Sequence, residues 1–172
     1  MAHKLYMAFL VFIFALLQIS VFPMINLFDV TPNLMLGLTC AYGIMHGKNH
    51  GIVIGIVCGL IVDAFFGFAI GYYAILYMLA GYISGFMNKG FFPDNIRMPI
   101  IIFGIADIFY NILVYLTFFF MRGDVGFGKY FLHVIAPEAV YTLLVMLLLF
   151  PLILVIDNKL TKRANRSARK FV

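Results

Sequence analysis

Charge is what this sequence has least of. Only 11% of its 172 residues are Asp, Glu, Lys or Arg, against about 25% in a soluble domain. That shortage excludes an ordinary water-exposed globule. Cysteine is scarce too: Cys40 and Cys58 lie inside apolar runs and form no metal-binding spacing, so they read as small apolar core residues rather than a disulfide or zinc framework. No apolar run contains a lysine or arginine, so an acid buried there has no internal salt-bridge partner. Catalytic constellations are missing as well. There is no nucleophile–base pair, phosphate loop or paired catalytic carboxylates; "GYISG" lacks the nucleophile-elbow pattern, and Ser84 has no base near it. The expectation is a protein that is not an enzyme and needs no cofactor.

What is present is hydrocarbon. The chain is 65% hydrophobic, with a mean hydropathy of +1.06, which marks a polytopic membrane protein. It has room for a single helical domain over 1–172 and for no separate soluble domain. The clear apolar spans are Leu5–Phe22, Gly51–Phe66, Ile70–Met87, Met98–Phe120 and Ala136–Ile156. Asn33–Met45 is apolar but short, a thin transmembrane helix or a re-entrant segment. The first span is longer than a signal-peptide core and is followed by no small-residue cleavage site, so it reads as a retained helix.

Basic residues orient these spans. Lys4, Lys48, Lys89, Arg97 and the tail at about 157–172 fall on one face if all six segments cross, leaving Arg122 and Lys129 on the other. By the positive-inside rule both termini are then cytoplasmic. The tail, with Lys159, Lys162, Arg163, Arg166, Arg169 and Lys170, suits anionic lipid and carries no nucleic-acid recognition motif. "FGFAIG" reads as the outer turn between the third and fourth helices, and "NKGFFPDNIRMP" as the inner connection that follows. "RGDVGFGKYFLHVIAP" reads as an outer loop, with Pro137 in the first turn of the last helix.

Gly51, Gly55 and Gly59 step by four along the third helix and form a face without side chains; Gly81 and Gly85 repeat the spacing on the fourth. Such faces let backbones approach closely in lipid, either within the chain or against a partner. The same series reaches Asp63, whose expected partners are hydroxyls of Tyr72 or Tyr73 or backbone N–H groups at the glycine turn. Asp107 and Asn111 stand one turn apart within the fifth helix, a polar clamp between helices or a proton or cation site. Glu138 follows Pro137 where the helix dipole favours an acid. His46 and His50 flank "GKN" and read as a solvated turn rather than a metal site, and His133 is alone.

The order of these features resembles the rod shape-determining protein MreD family. The carrying stretch is "TPNLMLGLTCAYGIMHGKNHGIVIGIVCGLIVDAFFGFAIGYYAILYMLAGYISG", with Pro32, Gly55, Gly59-Leu60, Asp63, Gly67 and Ile70-Gly71 in the family's pattern. The resemblance implies a non-catalytic subunit of the bacterial elongation machinery in the cytoplasmic membrane. Its partner would be MreC, a single-span protein, and through it the cytoskeletal MreB, the polymerase RodA and a class B penicillin-binding protein. It also implies a fold similar to the substrate-binding subunits of energy-coupling-factor vitamin transporters, which makes small-molecule uptake the rival function. Against uptake, the first helix lacks the A-x-x-x-A docking pattern: Ala8 and Ala15 are seven apart.

Overall fold

A chain surrounded by lipid must satisfy its backbone polar groups within its own elements. A computed structural model describes residues 2–25, 30–67, 69–90, 97–122 and 126–168, and among these residues all regular structure is helical. Helix α1 (Ala2–Leu16) passes through a π-helical turn at Leu17–Val21 into Phe22–Ile25. Then come α2 (Leu34–His46), α3 (Lys48–Phe66) and α4 (Tyr72–Phe86), the last closing in a 3-10 turn at Met87–Gly90. Helix α5 spans Arg97–Arg122; Phe127–Tyr130 and a second π turn at Phe131–Ile135 lead into α6, Ala136–Ala168. Most of the expected inner connection (91–96), Phe68 of the outer turn, 123–125, and Arg169 and Lys170 of the tail lie outside the described residues.

Among the described residues four stretches are long and apolar enough to cross a membrane: Tyr6–Ile25, Lys48–Phe66, Arg97–Thr117 and Phe127–Lys159. Their outward side chains are hydrocarbon, with Phe9 59%, Ile105 64% and Leu148 70% exposed, so their natural surroundings are lipid. This is a membrane protein.

The last helix differs from the expected loop-then-helix. The chain is already helical from Phe127, and Pro137, in the first turn of α6 as expected, follows a π turn instead of a loop. The cause is local. Proline has no N–H to donate and its ring crowds the carbonyl four residues back. One extra residue per turn relieves both: the N–H of Ala136 reaches the Phe131 carbonyl just before Pro137. The first helix repeats the device, with the N–H of Phe22 on the Leu17 carbonyl just before Pro23.

Helix α2 is the centre of the bundle. Every residue from Leu34 to Ile44 is buried, as expected of a helix that is apolar all round. At 13 residues it is about 20 Å long, too short to carry both ends to water. Side chains from distant helices close its ends instead. At the N-terminus, Asn33 Oδ1 accepts from the Leu36 N–H at 3.3 Å and Gln18 Oε1 from the Met35 N–H at 2.8 Å. The Asn33 N–H itself donates to Thr142 Oγ1 at 3.0 Å. At the other end Asn88 Nδ2 donates to the carbonyls of Ile44 and Met45 at 2.7 and 3.0 Å.

Loss of these caps leaves buried donors with no acceptor. We expect Asn33→Ala or Gln18→Leu to destabilise the protein by about 1–3 kcal/mol, read as a lowered Tm in detergent. Unchanged Tm in both variants would contradict the capping role.

Candidate functional site

The glycine series lies along the α3–α4 seam. A Cβ built on Gly51, Gly55 or Gly59 would come under 3.0 Å from the backbone of Gly81, Tyr77 or Ala74 respectively. Gly81 faces Gly51 in return, and Gly85 faces the backbone of Lys48. So all five expected face residues look into the contact between two helices of the same chain. The seam holds the helices closer than any side chain permits, and α4 fills the groove the glycines make.

Asp63 closes the end of that seam at the α3–α4 turn. It is 4% exposed. Its Oδ2 accepts from the Gly71 N–H at 2.9 Å and the Ala74 N–H at 3.1 Å, and its Oδ1 from the Tyr73 N–H at 2.8 Å. The carboxylate therefore caps the first turn of α4, where orphan N–H groups and the helix dipole both favour an anion. Gly71, at φ +100°, supplies the left-handed turn that aims these donors back at α3. Of the partners expected from sequence, the backbone groups are used. The Tyr72 hydroxyl goes elsewhere, donating to Thr117 Oγ1 on α5 at 2.8 Å.

The polar interior is larger than the sequence indicated. Asp107 is 1% and Asn111 3% exposed. Their side chains do not pair as expected: Asn111 Nδ2 donates to the backbone carbonyl of Asp107 at 3.1 Å, the bond that helical spacing makes easiest. Neither carboxyl oxygen of Asp107 has a hydrogen-bond partner. Glu138 stands in the first turn of α6, as expected, though a π turn leads into it; it is hydrogen-bonded to Asn111 and close enough to Asp107 to interact electrostatically. Next to them Tyr77 donates to Asn33 Oδ1 at 2.5 Å, so one network joins α2, α4 and α6. The rings of Tyr77 and Tyr110 pack edge to face, centroids 5.5 Å apart.

At the opposite end of the bundle from Asp63, the expected solvated turn is a one-residue break. Gly47, at φ +86°, ends α2 and lets α3 start at once, so His46 and His50 are both helical. His46 Nε2 lies 3.1 Å from Asp157 Oδ2, and its ring stacks on Tyr42 at 5.5 Å. Asp157 is 3% exposed. Its one signal in the sequence is an acid where an apolar span meets a basic tail. Among the described residues no cluster of three or more His, Cys, Asp or Glu has metal-site geometry. Lys48 Nζ lies over the Phe86 ring at 3.3 Å from its centroid. Ser84 bonds back to the Ala80 carbonyl at 2.7 Å, and His133 to that of Lys129 at 3.0 Å.

The face of α3 opposite the glycines borders an open apolar groove of about 1200 Å³ against α1. Met7, Val11 and Phe12 line one wall, and Val53, Val57 and Ile61 the other. Asn49 and His50 mark one end, Phe65 the other.

The family model described as rod shape-determining protein MreD matches residues 2–159. No curated protein and no solved structure matches the chain.

The Asp63 geometry sets an order of stability. An amide has one acceptor oxygen where the carboxylate uses two, so Asp63→Asn should retain part of the cap and Asp63→Leu none. Each N–H left without an acceptor costs on the order of 1–3 kcal/mol. Gly55→Leu should lower the protein's own membrane level, because the seam is internal. Thermal unfolding and quantified membrane levels check both. If Asp63→Asn falls as far as Asp63→Leu, the charge and not the acceptor geometry is what α4 requires.

Proposed function

The chain belongs to the rod shape-determining protein MreD family, and on that premise we propose that it is a non-catalytic membrane scaffold of the cell-elongation complex. It holds an MreC-like single-span protein, and through it MreB, RodA and a class B penicillin-binding protein, in the bacterial cytoplasmic membrane. The observation that carries this reading is the groove between α1 and α3. The glycine face of α3 is occupied by α4, so the surface left for a partner is the opposite one. Val53 and Val57 present it at helical spacing, 59% and 43% exposed, with Ile61 beside them in the groove wall. From Asn49 to Phe65 the groove follows seventeen residues of α3, about 24 Å of helix axis. That length approaches the roughly 30 Å of bilayer hydrocarbon and suits one transmembrane helix better than a lipid chain confined to one leaflet.

Topology supports the same reading. His46, Lys48, Phe86, Asn88 and Asp157 come together at one end of the bundle, which gathers the basic positions on what we take as the cytoplasmic side. Lys129, near Tyr115 through the Tyr130 ring, belongs to the other end.

Filling the groove should separate partner binding from folding. We expect Val57→Trp to leave the protein's level intact while reducing co-purification of the MreC-like protein, and cells that depend on the variant to become round. Cysteine labelling in intact cells, in a variant without Cys40 and Cys58, should leave position 48 protected and position 129 accessible. The rival is the uptake subunit suggested by the fold that the family resemblance implies. A vitamin-sized ligand in the purified protein, together with normal shape after depletion, would establish it and contradict the scaffold.

A further inference from the structure

Asp107 is the least explained group in the molecule. It lies 1% exposed within a membrane-spanning helix, and neither carboxyl oxygen meets a hydrogen-bond donor. Burying an acid at that depth without a partner is costly, so such residues are tolerated where something neutralises them. Asp63 shows how the fold treats an acid that serves only structure: three backbone N–H groups converge on it. Asp107 receives none.

A second acid adds to the deficit. Glu138 on α6 faces Asp107 across the α5–α6 contact, with Asn111 hydrogen-bonded to Glu138. The titratable groups around the two acids are Cys40 on α2, Tyr73 and Tyr77 on α4, Tyr110 on α5, and Tyr130 before the π turn. All of these are neutral or negative, never positive. The sequence offers no remedy, since 98–120 and 136–156 contain no lysine, arginine or histidine. Two neighbouring carboxyls in a poorly polarisable interior cannot both stay ionised unless a proton or another cation offsets their charge.

The surroundings restrict what can bring it. Tyr77 is fully buried, and one turn from Asp107 Phe103 packs edge-on to Phe150, centroids 5.5 Å apart. Glu138 is half-buried. The donors are carboxyl and amide oxygens, which favour hard cations over the soft metals that seek thiolate. We propose that Asp107 and Glu138, positioned by Asn111, form a binding site for one hard monovalent cation, a proton or a sodium ion, in the membrane interior. The site stands apart from the α1–α3 groove and does not depend on the scaffold reading.

The test uses the full chain in lipid nanodiscs, wild type beside Asp107→Asn and Glu138→Gln, each checked for monodispersity. Radioactive sodium binding is measured across pH, and infrared spectroscopy follows the carbonyl stretch of protonated carboxyls. With sodium as the ligand, wild type binds one ion, affinity falls about tenfold for each pH unit once a proton competes, and Asp107→Asn loses binding. With the proton as the ligand, sodium does not bind, and a titrating carboxyl band in wild type disappears in Asp107→Asn. The infrared titration of wild type needs no variant to fold. Sodium binding that is unchanged in both variants, or the absence of both sodium binding and a titrating band, would overturn the proposal.

Discussion

The backbone of α2 has neither water nor lipid to turn to, and the rest of the bundle is arranged around that constraint. A 13-residue helix buried along its length brings unpaired N–H and C=O groups to depths where each unmet group costs several kcal/mol. The answer comes from sites far apart in the chain. Gln18 reaches in from α1, Thr142 from α6, Tyr77 orients Asn33 from α4, and Asn88 returns from the turn after α4 to close the other end. Removing any one of these contacts loosens a helix that the other five elements pack against. The π turns serve the same requirement, since they keep α1 and α6 continuous across prolines that would otherwise open the ladder.

Close packing follows from the same centre. The glycine seam draws α3 and α4 together beside α2, and Asp63 fastens the outer turn that joins them. With its glycine face occupied, α3 has its valine and isoleucine face to offer outward, along the groove with α1. Internal packing and an external docking surface thus divide one helix between opposite faces. The polar interior around Asp107 lies on neither face, which is why it carries a separate chemistry.

Much of this was legible in the sequence, and the rest was hidden for identifiable reasons. Six helices, the glycine spacing and Asp63 as a cap on the outer turn could be read because each is a local pattern of period four or an apolar run of span length. The direction of the glycine face could not, since a small-residue stripe is the same in sequence whether its partner is covalently attached or not. Gln18, Thr142 and Asp157 gave little signal, because their roles arise from contacts between helices distant in the chain. Glu138 was placed correctly in the first turn of α6, but the segment before it was not: proline and glycines suggested a loop, whereas a π turn let the helix run through. The pairing expected between Asp107 and Asn111 failed because the amide found its own helix carbonyl first.

Amide hydrogen–deuterium exchange on the protein in lipid nanodiscs tests the central constraint most directly. If buried, distantly capped α2 organises the bundle, the amides of Leu34–Ile44 should be the slowest in the chain. Those of Gly71, Tyr73 and Ala74, held by Asp63, should come next, and both groups should exchange together when the protein is destabilised. Fast exchange at Met35 and Leu36, with slow exchange confined to the four long helices, would contradict the account.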